Sequence, residues 1–172
     1  MLLILLGPSG CGKTTLETKL TERGIVRLRS HTTRPRKSGE TDDAYYFVRR
    51  DEFKKAQIVE SVLYKNFFFG LSASEVEKAA TQDCVVTLDW NGAQQLKRLY
   101  PFALTVFIDV PMYQLEKRLT ATLDNERRKE ILEQIETDSR CATDCDYIVR
   151  NFDGQQEEAL EELLKIFANG KK

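Results

Sequence analysis

The sequence predicts an α/β fold, a parallel sheet covered by helices on both faces, and three observations predict it. Short apolar runs rich in β-branched and aromatic residues recur along the chain, and segments of helical periodicity separate them. The length of 172 residues, with 41% hydrophobic content, suits one substantial core rather than two.

The runs fall at Leu2 to Leu6, Cys84 to Leu88, Phe102 to Val110 and Tyr147 to Val149, each the length of a buried strand. The opening MLLILL has no basic stretch before it and meets Gly7-Pro8 after six residues, so it reads as a strand and not as a leader peptide. Helical patterns lie at Lys13 to Glu22, Ser72 to Ala80, Gln94 to Tyr100, Met112 to Ala121, Asn125 to Thr137 and Gln155 to Phe167. Ser72 with Glu75 predicts a capping box, and Pro111 opens a helix where its missing N–H costs nothing. The region from His31 to about Phe69 breaks the alternation with a polar Arg/Pro/Gly stretch, then YYFV, then NFFFG. It predicts a small inserted subdomain with its own strands. The expected layout is therefore a core of residues 1–30, 81–118 and 140–168, an insertion at 31–80, and a short segment at about 119–139.

Between the first strand and the first helix stands Gly7-Pro8-Ser9-Gly10-Cys11-Gly12-Lys13-Thr14, the pattern G-x-x-x-x-G-K-[ST] in its proper setting. Glycines let several backbone N–H groups close on one phosphate, and the following helix adds its positive end. Lys13 then reaches the β and γ phosphates, the Thr14 hydroxyl ligates Mg²⁺, and Thr15 adds a phosphate contact. A glycine-rich turn can also merely join strand to helix, but the strand, Lys and Thr together select the P-loop NTPase reading. Asp89, closing the run CVVTLD, sits where such proteins keep an acid that orients Mg²⁺; an aspartate capping the next helix would look identical.

Composition narrows the partners. A formal charge of -1 and a pI near 6.0 leave no global basic surface for nucleic acid. No stretch approaches the roughly 18 apolar residues of a membrane helix. Cys11, Cys84, Cys141 and Cys145 lack the spacing of a disulfide framework and suit a cytoplasmic setting. Cys141 and Cys145 offer half a zinc site, but His31 is the sole histidine and no second pair exists. The expected partners are small-molecule nucleotides, for a monomer or a homodimer.

The segment SHTTRPRKSGE, residues 30 to 40, packs Arg34, Arg36 and Lys37 beside hydroxyls, as an acceptor monophosphate requires; a solvated basic loop is the bland alternative. With this segment the sequence resembles the guanylate kinase family. The resemblance runs through GPSGCGKTT, SHTTRPRKSGE, YYFV, Glu60 before NFFFG, the aspartate after CVVTL, and a last strand ending at Asn151. It implies a P-loop fold with an inserted mixed α/β GMP-binding subdomain and a short lid, and the reaction ATP + GMP (or dGMP) to ADP + GDP (or dGDP) with Mg²⁺. It implies that Ser30 contacts the guanine base, Arg34 and Tyr45 the GMP phosphate, with Glu40 supporting them. Glu60 would accept from guanine N1 and the exocyclic amine, and Arg118 would lie near the ATP base.

The chain also departs from that pattern. Lys37 stands where the family has a second phosphate arginine, with Arg36 one step early. The tyrosine-glycine-serine/threonine corner is Phe69-Gly70-Leu71, so Phe69 lacks a phosphate donor and Leu71 a base contact. Asn91 replaces a second acid. Each hydrogen bond lost to a charged group costs about 1.5 to 3 kcal/mol, so acceptor selection is expected to be relaxed. The glycine-arginine-glycine stretch of the lid is absent, and Arg127 and Arg128 are the candidate cations for the transferring group. A related kinase with another nucleotide or phosphorylated sugar as acceptor remains the main alternative. A binding module that has lost catalysis fits poorly with an intact loop.

Overall fold

The computed structural model describes residues 1–120, 133, 135 and 139–170. Its core sheet has five strands in the order β2-β7-β1-β8-β9: β1 (Leu2–Leu6), β2 (Val26–Arg27), β7 (Cys84–Thr87), β8 (Leu104–Asp109) and β9 (Tyr147–Arg150). Every pairing is parallel, with Leu3 level with Val85 on one side and Leu104 on the other. β1 is buried along its whole length. Leu3 and Leu5 face α1 (Lys13–Glu22), α5 (Met112–Thr120) and α6 (Gln156–Asn169), while Leu2, Ile4 and Leu6 face α4 (Trp90–Leu99). Alternate residues thus feed two cores, which is why this strand reads as an unbroken apolar run.

A second sheet, order β4-β3-β6-β5, is built wholly from residues between His31 and Ser72: β3 (His31–Thr32), β4 (Tyr46–Phe47), β5 (Ile58–Tyr64) and β6 (Phe67–Ser72). β5 and β6 form a hairpin whose turn residues Lys65 and Asn66 both have positive φ (46° and 68°), a twist that suits a two-residue connection. The helix α2 (Arg50–Lys55) links β4 to β5.

Three expectations need correction. The predicted helix Ser72 to Ala80 is a single turn, α3 (Ala73–Val76), followed by a 3₁₀ turn at Glu77–Ala80. Ser72 precedes α3 but makes no capping bond; its Oγ meets Ser74 Oγ at 3.1 Å. Glu75 is drawn away to accept from Arg29 N (2.8 Å) and Tyr46 Oη (2.8 Å), tying β4 to the segment between β2 and β3. Finally, α4 starts at Trp90, four residues before the periodic pattern, because Asp89 caps it.

Because all core strands run the same way, the segments after β1, β7, β8 and β9 gather at one edge, where open α/β sheets hold their ligands. Among the described residues, no helix is long and apolar enough to cross a membrane.

Candidate active site

The loop from Gly7 to Gly12 turns out of β1 and ends as the N-cap of α1. Gly12 has φ 97°, no side chain caps the helix, and its first turn holds no acidic residue. The amides of that turn are left for an anion. Lys13 Nζ lies on its own loop, donating to Gly7 O (2.6 Å) and Pro8 O (2.9 Å). Thr14 and Thr15 are exposed at the helix start.

The loop is braced from the far end of the chain. Asn151, 1% exposed just past β9, donates from Nδ2 to Cys11 O at 2.7 Å. A Cβ on Gly12 would sit 2.3 Å from that nitrogen, so only glycine fits there. Arg118 donates to Gly10 O (3.1 Å) and Asn151 O (3.0 Å) and pairs with Asp153 at 2.7 Å. Sequence reading placed Arg118 near an ATP base; the structure uses its guanidinium to fasten the loop to the last strand. The bracing roles of Asn151 and Asp153 were not legible, since about 140 residues separate them from the loop.

A cavity of about 660 Å³ opens between the second sheet and the end of β7, lined by Ser30, Arg34, Lys37, Glu40, Tyr45, Glu60, Phe69 and Asp89 among others. Eight predicted site residues are thereby brought together. Arg34 makes a bidentate pair with Glu40 (Nη1 to Oε2 2.9 Å, Nη2 to Oε1 2.6 Å), and Lys37 N donates to Glu40 at 2.8 Å. These bonds, Arg34's first and then the Lys37 amide's, hold the Glu40 carboxyl at about 2. The Arg34 guanidinium is also 5.5 Å from the Tyr45 ring centroid, and Tyr45 meets Phe69 edge-on at 5.8 Å. Lys37 lines the cavity, whereas Arg36 pairs with Asp42 and lies over Phe47.

At the other end Glu60 is 3% exposed. Oε1 accepts from Leu71 N at 3.1 Å, and Oε2 has no partner among the described residues. Burial pushes this carboxyl up to about 7 against the pull of the Leu71 amide, and the nearby Asp89 charge adds to the rise. Glycine at position 92 makes room for it, since a Cβ there would meet Oε2 at 2.7 Å. Leu71 itself is 0% exposed in the core, so its side chain offers nothing to the cavity and only its N–H reaches Glu60. Asn91 is exposed on the first turn of α4.

Asp89 accepts from Gly92 N at 2.7 Å, which makes it the cap of α4, and it also lines a second cavity of about 330 Å³ with Gly7, Ser9 and Lys13. It therefore borders both this cavity and the one of about 660 Å³. Arg127 and Arg128 lie outside the described residues.

A sequence model described as guanylate kinase matches residues 1–169. The guanylate kinase of Hydrogenovibrio crunogenus is 37% identical over 181 residues, covering 96% of this chain and 86% of its own. That of Helicobacter pylori is 35% identical, covering 96% and 85%. In three dimensions the chain is similar to the crystal structure of guanylate kinase from Anaplasma phagocytophilum, with TM-score 0.78, 25% identity, and 100% of this chain and 87% of that one covered. A shikimate kinase from Bacteroides thetaiotaomicron, at TM-score 0.54 and 16% identity, shares the fold alone.

Proposed function

The chain belongs to the guanylate kinase family, and from that premise we propose that it transfers the γ-phosphoryl group of ATP to the phosphate of GMP, with dGMP as a second acceptor. The observation that carries the reading is the meeting of two cavities at Asp89, the phosphate loop lining one and a bidentate Arg34–Glu40 pair with a buried carboxyl lining the other.

The loop amides and the N-terminus of α1 bind the triphosphate, and Lys13 leaves the carbonyls of Gly7 and Pro8 to meet the β and γ oxygens. Glu40 pre-aligns Arg34 so that the guanidinium edge turned away from it, with Lys37 and the Tyr45 hydroxyl, receives the acceptor phosphate. The attacking phosphate oxygen is already anionic near neutral pH, so no residue has to remove a proton from it. Ionised Glu60 accepts from guanine N1 and the exocyclic amine, a donor pair that adenine lacks. Mg²⁺ bound with ATP supplies charge neutralisation between the phosphates; the exposed Thr14 hydroxyl and the Asp89 oxygen left over from capping suit it as hard oxygen ligands.

The test is a coupled assay of the full chain with Mg-ATP and GMP, dGMP, AMP, UMP and sugar phosphates in turn. GMP is expected to give the highest kcat/KM. Equal or faster turnover of another acceptor would replace it as the substrate.

A further inference from the structure

Between the first turns of α1 and the loop from Gly39 to Tyr45 lies a cavity of about 520 Å³. Glu17, one helical turn beyond Lys13 on α1, lines it while only 5% exposed, a charge for which the phosphate chemistry has no use. Its Oε2 faces Arg27 Nε at 3.1 Å, an ion pair without an aligned hydrogen bond, and Oε1 accepts from Thr87 Oγ1 at 3.3 Å. From the same guanidinium, Nη2 donates to Ala44 O at 3.0 Å. Ala44 immediately precedes Tyr45, whose ring packs on Phe69 and beneath the Arg34 guanidinium. One run of contacts thus joins the helix of the phosphate loop to the acceptor phosphate cradle, through Glu17, Arg27, Ala44 and Tyr45.

Stability alone is a poor reason for this pair. A buried ion pair recovers little beyond its own desolvation, and burial here still raises the Glu17 carboxyl despite Arg27 and Thr87. What the pair does supply is direction. The segment from Thr41 to Ala44 belongs to no helix or strand, and Arg27, fixed by Glu17, reaches its carbonyl from the edge strand of the other sheet.

We propose that Arg27, anchored by Glu17, is a positioning residue for phosphoryl transfer: it sets the place of Tyr45, and with it the acceptor phosphate, relative to the helix bearing Lys13 and Thr14. This rests on the phosphotransfer reading above.

The experiment is a double-mutant cycle on the full chain, comparing wild type, Arg27→Met, Tyr45→Phe and the pair, with ATP and GMP varied separately. If Arg27 acts through Tyr45, Arg27→Met raises the KM for GMP about tenfold and leaves the KM for ATP within about twofold. The double variant is then no worse than the worse single one, within about twofold. Arg27→Lys, which keeps the charge against Glu17 but has a single donor head, falls between wild type and Arg27→Met. Multiplying effects in the double variant, or a lowered melting temperature with an unchanged KM for GMP, overturn the proposal. Should circular dichroism show Arg27→Met unfolded, the same cycle is run with Arg27→Lys: a double variant no worse than the worse single one supports coupling through Tyr45, and multiplying effects overturn it. A wild-type chain inactive on GMP overturns both readings together, whereas an active one with multiplying effects overturns this inference alone.

Discussion

Glu60 brings a carboxyl into a nearly dry environment, and both its cost and its use should be measurable. Its proton is held to about pH 7, yet a carboxyl that accepts from two guanine N–H groups has to be ionised. The KM for GMP is therefore expected to rise as pH falls below about 7, by about tenfold per unit once the protonated form dominates; initial rates between pH 5.5 and 8.5 would show it. Glu60→Gln should lose this dependence together with most GMP affinity. For stability the sign is opposite. A carboxyl raised from 4.5 to about 7 by folding supports the native state fully below 4.5, and that support is lost as pH rises through 7. At pH 8, Glu60→Gln is expected to be more stable than wild type, by on the order of 3 kcal/mol, which urea titration would measure. The sequence shows Glu60, Arg34, Glu40 and Tyr45 as candidates because their segment is dense with the right chemistry. It does not show that Leu71 turns its side chain into the core, since nothing local distinguishes a cavity-facing position on β6 from a core-facing one.

Asp89 illustrates the same ambiguity one level up, where a side chain serves a helix. In sequence, a metal-orienting acid and an N-cap are indistinguishable, and in the structure Asp89 performs the second role at the border of both cavities. Asp89→Ala is expected to cost about 1 kcal/mol through loss of the cap, while Asp89→Ser keeps a capping oxygen and should hold its melting temperature. If the carboxylate also serves Mg²⁺, Asp89→Ser still loses about a hundredfold in kcat, as removal of one charge-stabilising group commonly does. Equal activity of Asp89→Ser and wild type would assign the residue to capping alone. Elements were legible where one local force decides them. β1 and α1 fall at the predicted residues because an unbroken apolar run makes the strand and the glycine loop ends it and starts the helix. α3 was overestimated because its Glu75 bonds to Arg29 and Tyr46, partners 46 and 29 residues away that no local pattern announces. The two-residue strand β2 is too short to carry a period at all.

At the scale of the molecule, the proposed reaction draws on two cavities, one lined by the glycine loop and the other mainly by residues of the insertion, so the two nucleotides should stabilise the chain separately. A ligand at a hundred times its dissociation constant adds about 2.7 kcal/mol, which for a chain of this size means roughly 5 to 10 °C in melting temperature. Differential scanning fluorimetry is expected to show both shifts in wild type, with Lys13→Ala losing that of Mg-ATP and Arg34→Ala that of GMP. Loss of both in either variant would mean that the two halves do not bind independently.

The tie between Asn151 and Cys11 has a bearing on biosynthesis. A ribosome delivers the glycine loop early, but the amide that steadies it is translated about 140 residues later and arrives only when β9 docks on β8. Until then the nascent polypeptide holds the whole glycine loop and still lacks the prop that shapes it. Nucleotide capture by nascent chains should therefore begin abruptly once β9 has emerged and docked on β8, and not grow with chain length.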